Sequence, residues 1–149
     1  VKRSPILPPT YLGAAIATMV ALHLLFPVKR VIPFPWNLLG LLSLALGVVL
    51  NIMADRDLRD AKTTVKPFQE SEALVMTGAY RASRNPMYLG FVLILLGLAI
   101  LLGSLSPFLA IPVFAVVMDR VFIVAEEGML AAQFEGAWQD YKATVRRWL

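Results

Sequence analysis

Three stretches of this chain contain no Asp, Glu, Lys or Arg; they lie at residues 4–28, 31–54 and 85–118 and are 25, 24 and 34 residues long. A helix needs about 20 apolar residues to cross the hydrocarbon core of a bilayer, so each of the first two can cross once. The third is too long for one pass and short for two full ones. At its middle stands Gly103-Ser104-Leu105-Ser106-Pro107, a run of turn formers. It reads as a tight helical hairpin whose second arm continues past Asp119. Spans are predicted at residues 11–27, 36–54, 86–102 and 107–125. Composition agrees: 58% hydrophobic residues and a mean hydropathy of +0.70 over 149 residues are too apolar for an ordinary soluble domain. The expected fold is an all-α polytopic membrane bundle of about four helices plus a C-terminal amphipathic helix. It forms a single domain over 1–149, with two spans in 1–62 and a catalytic core in 63–149.

Charge placement tests that arrangement. With four spans, 12 of the 14 Lys and Arg residues fall on one side of the membrane and only Lys29 and Arg30 on the other. By the positive-inside rule, both termini and the loop from Asp55 to Arg84 face the cytoplasm. All ten acidic residues lie on that side as well. Lys2-Arg3 before an apolar run also resembles a cleaved leader, but the run is long and three further spans follow, so a span is expected there. The net charge of +4 is not spread over a soluble basic face, and no nucleic-acid partner is expected.

The loop opens with DRDLRDAK, where Asp55 and Arg59, and Arg56 and Asp60, stand four apart, so the second helix should run on by about two turns. Thr63-Thr64-Val65-Lys66-Pro67-Phe68 should be extended, and a turn is expected at Thr77-Gly78. Near the C-terminus Leu130, Phe134, Trp138, Tyr141, Val145 and Trp148 recur at helical spacing. That stripe suits a helix in the headgroup layer, one covering the cytoplasmic mouth of the bundle, or a plain packing helix.

Two constellations could carry chemistry. Asn85-Pro86 marks a helix start, with Asn capping the first N–H groups and Pro at the first helical position. With Arg84 beside it and Tyr88 one turn in, this end suits a carboxylate or phosphate; an arginine snorkelling among headgroups is the plainer reading. Glu126-Glu127 lies just past the fourth span, with Arg120 seven residues before Glu127 and so on roughly the same helical face. Ionisable groups at the edge of a membrane bundle are costly unless paired or solvated, and either is open here. The absence of cysteine removes disulfides and thiolate metal sites, and one histidine makes no zinc cluster. His23 reads as a packing residue. Walker, HExxH and GxSxG motifs are absent, as is a strand-borne GxGxxG.

Leu74-Val75, Thr77-Gly78, Tyr80-Arg81, Ser83-Arg84-Asn85-Pro86-Met87-Tyr88-Leu89-Gly90, Glu126-Glu127, Leu130, Phe134, Tyr141 and Val145 together resemble the isoprenylcysteine carboxyl methyltransferase and phospholipid methyltransferase family. Thr63-Thr64-Val65-Lys66-Pro67 is similar to its bacterial branch, which implies a bacterial inner membrane. Departures are Asn85 for a histidine of the eukaryotic branch, Ala79 for a frequent proline, Glu135 for the glycine that often follows the phenylalanine, and Trp138 for a tyrosine. The resemblance implies a small membrane enzyme that uses S-adenosylmethionine, releases S-adenosylhomocysteine and has no Rossmann domain. Carried over by position, Leu74, Val75, Tyr80, Asn85, Pro86, Met87, Tyr88, Glu126 and Glu127 would hold the cofactor. Arg84, Glu126 and Glu127 would be catalytic, and Arg84 and Arg120 would orient the acceptor.

The function expected is methyl transfer to a hydrophobic, membrane-dissolved carboxylate, amine or thiol. Membrane lipids are the surroundings, and no protein partner or metal is expected. A sterol-reductase-like NADPH enzyme and a four-helix transporter or scaffold are the alternatives. The former has little room for its substrate, and the latter lacks the ionisable residue expected at mid-membrane.

Overall fold

The computed structural model describes residues 7–63 and 69–149. Of the segment expected to be extended, Thr63 to Phe68, all but Thr63 lies outside the described residues, as does Lys2-Arg3. Helix α1, Pro8–Leu25, starts on a proline, and a 3-10 turn, Trp36–Leu39, leads into α2, Gly40–Asp60. As expected, α2 continues well past Ala54, and Arg59 Nε donates to Asp55 Oδ2 at 2.7 Å. Helix α3 runs Pro86–Leu102 and ends on Gly103, whose φ of 73° is costly for any residue with a Cβ. A further 3-10 turn, Ser106–Leu109, then completes the predicted hairpin and leads into α4, Ala110–Met118.

Beyond α4 the expected C-terminal helix follows without a connecting loop, set off from the span by a change of pitch and, at Glu135, by a kink. A π-helical turn, Asp119–Ile123, carries the chain directly into α5, Val124–Thr144. Three of the helical segments are long and apolar enough to cross a bilayer, and α3 is a shorter apolar helix of 17 residues.

The tightest packing joins α2 to α3. Gly40 lies against Gly97 and Gly47 against Gly90, so the antiparallel backbones meet at two points seven residues apart. Close approach through small residues is how helices associate where lipid removes the usual hydrophobic drive. Ser43 adds a hydroxyl hydrogen bond to the Leu93 carbonyl at 2.9 Å. A Cβ on Gly47 would stand 2.5 Å from the Gly90 carbonyl oxygen, which is rigid backbone. Gly47→Val should therefore cost at least the roughly 1–3 kcal/mol of an overpacked core. Thermal unfolding in detergent checks this, with Gly13→Val, where nothing lies within 4 Å, expected to leave the midpoint unchanged.

Helix α1 closes the bundle against α3 and α4 around Met19, Leu95, Met118 and Phe122. Within α5 the helix kinks at Glu135, where φ is 31° and ψ is −104°. Positive φ costs a side-chain-bearing residue roughly 1–2 kcal/mol, and this is a position where the resembled family often has glycine. Glu135→Gly should raise the unfolding midpoint, by an amount equivalent to about 1 kcal/mol.

Candidate active site

A cavity of about 340 Å³ opens where the start of α1, the end of α2, the start of α3 and α5 converge. That volume lies within the usual range for small-molecule sites. Its lining includes Leu74, Val75, Tyr80, Arg84, Asn85, Pro86, Met87, Tyr88, Glu126 and Glu127. Residues more than forty positions apart in sequence thus share one wall. Arg120 is the exception among the expected residues. Its side chain is 78% exposed, and its nearest acid is its neighbour Asp119, at 3.9 Å. The reason is the π turn between Arg120 and Glu127: one extra residue in a turn shifts the helical face by about 100°, so seven-residue spacing no longer keeps the two aligned.

The start of α3 also differs from expectation. Pro86 occupies the first helical position, but the Asn85 side chain makes no cap. Its Nδ2 donates instead to the Arg147 carbonyl at 3.1 Å, and its backbone N–H donates to Ser83 Oγ. Leu89 N–H reaches the Asn85 carbonyl, which leaves the N–H groups of Met87 and Tyr88 without an acceptor among the described residues. A pair of N–H groups without an acceptor at the positive end of a helix is suited to an anion.

Arg84 and Glu127 are committed to each other. Arg84 Nε and Nη2 both lie 3.2 Å from Glu127 Oε1, and Arg84 Nη1 donates to the Lys142 carbonyl. The guanidinium also lies over the Trp138 ring, 5.6 Å from its centroid. Arg147, which the sequence reading did not place here, completes the group. Its Nη2 is 2.6 Å from Glu127 Oε2, and its Nη1 is 3.0 Å from Asp119 Oδ1. Two arginines thus balance two carboxylates, so of the two states open to Glu127 the structure shows the paired one, while Arg84 and Glu127 both still line the cavity. They fasten the chain end over the cavity, together with Ser83 Oγ on the Arg147 carbonyl and Arg84 N–H on that of Arg146.

Glu126 is different. It takes part in none of the ion pairs among the described residues and accepts one hydrogen bond, from Tyr88 Oη at 2.7 Å. The Tyr88 ring stacks on Phe122, with centroids 6.2 Å apart, and meets Phe91 edge-on. Aromatic packing therefore fixes the hydroxyl that orients the carboxylate. The opposite wall is held by Asp57, whose Oδ2 accepts the Ala79 N–H at 2.7 Å, and by Tyr141, whose hydroxyl donates to the Tyr80 carbonyl. Burial, and then the nearby Glu126 charge, push the Tyr80 phenol above its ordinary range, so it stays protonated. Asp57 and Tyr141 act through backbone groups, which no side-chain motif announces; the helical stripe already pointed to Tyr141 and Trp138.

Comparison with known proteins agrees with this architecture. The family model for phospholipid methyltransferases matches residues 36–137, about two thirds of the chain. The chain belongs to the phospholipid methyltransferase family. Methyl transfer to lipid-like molecules of the membrane is the activity that goes with this family, and the apolar helices fit an integral membrane protein. An uncharacterised protein of Haemophilus influenzae is 38% identical over 63 residues, which is 42% of this chain and the whole of that protein. No solved structure gives a significant match. The family's matched region contains α2, α3 and the first part of α5, and so contains Tyr88 and Glu126 but ends before Arg147.

Proposed function

We propose that the cavity binds S-adenosylmethionine and that this methyltransferase alkylates a hydrophobic acceptor dissolved in the membrane, at the cytoplasmic face of a bacterial inner membrane. The carrying observation is the unmatched Glu126 carboxylate in a cavity whose other lining charges are paired. S-Adenosylmethionine has one carboxylate against an ammonium and a sulfonium, a net charge of one positive. One uncompensated carboxylate and a bare helix start therefore suit both signs it carries. When bound, that cofactor supplies a methyl carbon already activated by the sulfonium.

The residues then have to align, desolvate and accept a proton where one is released. Met87 and Tyr88 N–H groups would hold the amino-acid carboxylate, and Glu126 would face the cationic groups. Leu74, Val75, Phe91 and Met129 keep the cavity apolar. The cavity walls would keep water out and hold the cofactor's methyl carbon in line with the acceptor, with the thioether as the leaving group. A carboxylate acceptor releases no proton. An amine or thiol does, and Glu126 is the carboxylate that would take it. The charge distribution supports the cytoplasmic orientation, since among the described residues the cavity lies at the end of the bundle that carries every Lys and Arg except Lys29 and Arg30.

Calorimetry of detergent-purified protein with S-adenosylhomocysteine tests the reading directly. Saturable binding is expected, and no heat up to high micromolar ligand would sink it. Transfer of labelled methyl from S-adenosylmethionine into extracted lipids, followed by base treatment to cleave esters, then separates carboxylate from amine acceptors.

A further inference from the structure

At the opposite end of the bundle from the active-site cavity, a second hollow of about 370 Å³ is lined by His23, Pro27, Val28, Lys29, Arg30 and Ser104. We infer that it is a binding site for the phosphate of an anionic phosphodiester or free phosphate, separate from the methyl-transfer chemistry.

Three observations carry the inference. First, Lys29 and Arg30 have no acid to pair with: all ten Asp and Glu residues lie in the segments assigned to the other end, and neither cation enters an ion pair among the described residues. Two adjacent like charges repel, and an anion between them relieves this. Second, the segment is held in place. Val31 and Ile32 N–H groups donate to the Gly103 carbonyl at 2.8 and 3.1 Å, Leu105 N–H donates to the Lys29 carbonyl at 2.9 Å, and Arg30 forms an antiparallel bridge with Ser104. Third, Val28 adopts a φ of 58°, a conformation that β-branched residues rarely take. Such outliers persist where the surroundings enforce a particular presentation of the chain.

The hollow also has neutral polar groups suited to phosphate oxygens. His23 Nδ1 and Ser104 Oγ share a hydrogen bond at 2.7 Å, which fixes the ring and leaves Nε2 for a ligand. An arginine fork, a lysine point charge and an imidazole are complementary to a tetrahedral oxyanion. The position at a membrane interface makes lipid headgroups the concentrated source.

The test uses full-length protein in detergent at constant ionic strength, with short-chain phosphatidylglycerol, short-chain phosphatidylcholine and inorganic phosphate as probes. Phosphatidylglycerol should raise the unfolding midpoint of the wild type and of Arg56→Gln/Arg59→Gln, and the shift should fall at least twofold in Lys29→Gln/Arg30→Gln. An unchanged shift in Lys29→Gln/Arg30→Gln, or none in the wild type with any probe, overturns the proposal. An equal shift from inorganic phosphate assigns the site to the free anion, and one from phosphatidylglycerol alone assigns it to lipid. An equal shift from phosphatidylcholine, whose phosphate is offset by its own ammonium, means that net negative charge is not what the two cations read, and also overturns it. Should the double variant not fold, acylation of Lys29 in the wild type gives the answer. The anionic probe should slow its modification at least twofold relative to Lys142, and equal rates with and without probe would refute the site.

Discussion

Glu126→Gln should weaken S-adenosylmethionine binding by about 10- to 100-fold, the equivalent of one charge-assisted contact of roughly 1.5–3 kcal/mol, without loss of the fold. The carboxamide retains an oxygen for the Tyr88 hydroxyl, so local geometry should survive and only the charge is removed. Removing an unpaired carboxylate from a half-buried position relieves desolvation, so the unfolding midpoint should hold or rise. S-Adenosylhomocysteine offers a sharper comparison, because it lacks the sulfonium and is neutral overall. If Glu126 answers the cofactor's net charge, the loss should be larger for S-adenosylmethionine than for its product. Equal losses would place the carboxylate against groups the two ligands share, and unchanged affinity for both would remove Glu126 from the site. Isothermal calorimetry of both ligands on both proteins measures this.

The neighbouring glutamate should behave in the opposite way. Glu127→Ala is expected to destabilise the protein by about 3–5 kcal/mol, because it strands Arg84 as an uncompensated buried charge. The Arg84 side chain is only 7% exposed, whereas Arg147 is 35% exposed and keeps Asp119. Most of the cost should therefore come from Arg84. The double change Arg84→Met/Glu127→Leu should recover much of the loss, since apolar pairs of similar volume often replace buried ion pairs without penalty. Thermal unfolding of the three proteins decides it. A Glu127→Ala midpoint equal to wild type would show that the pair adds nothing to the fold.

That two adjacent glutamates should differ so much was not legible in the sequence. The spans were, because charge-free runs are a bulk property that the bilayer reads directly: α3 begins at Pro86 and ends at Leu102, as the run and its flanking turn signals predict. Which small residues bring α2 and α3 together, Gly40, Gly47, Gly90 and Gly97, is seen only in the packing. Partnerships between side chains were harder to foresee. Arg147 meets Glu127 across twenty positions, through a chain end that leaves the helix after Thr144, and no periodicity relates the two. Asn85 looked like a cap because its type and its following proline fit one. The carbonyl of Arg147, brought in by the fold, accepts from its Nδ2 and so sets the amide's orientation, and its oxygen makes no cap. Arg120 was misplaced by counting regular turns across a segment that is not regular.

That irregular segment separates two demands on a single helix. Before Asp119 the chain must satisfy lipid and the packing of α1 and α3; after Ile123 it must aim Glu126 and Glu127 at the start of α3. A strictly α-helical rod would tie those directions together, so that any rotation favouring one surface would spoil the other. The wider turn acts as an angular offset between them. Deleting Val121 would remove that offset while leaving Asp119, Phe122 and both glutamates present, and the carboxylates would swing away by about 100°.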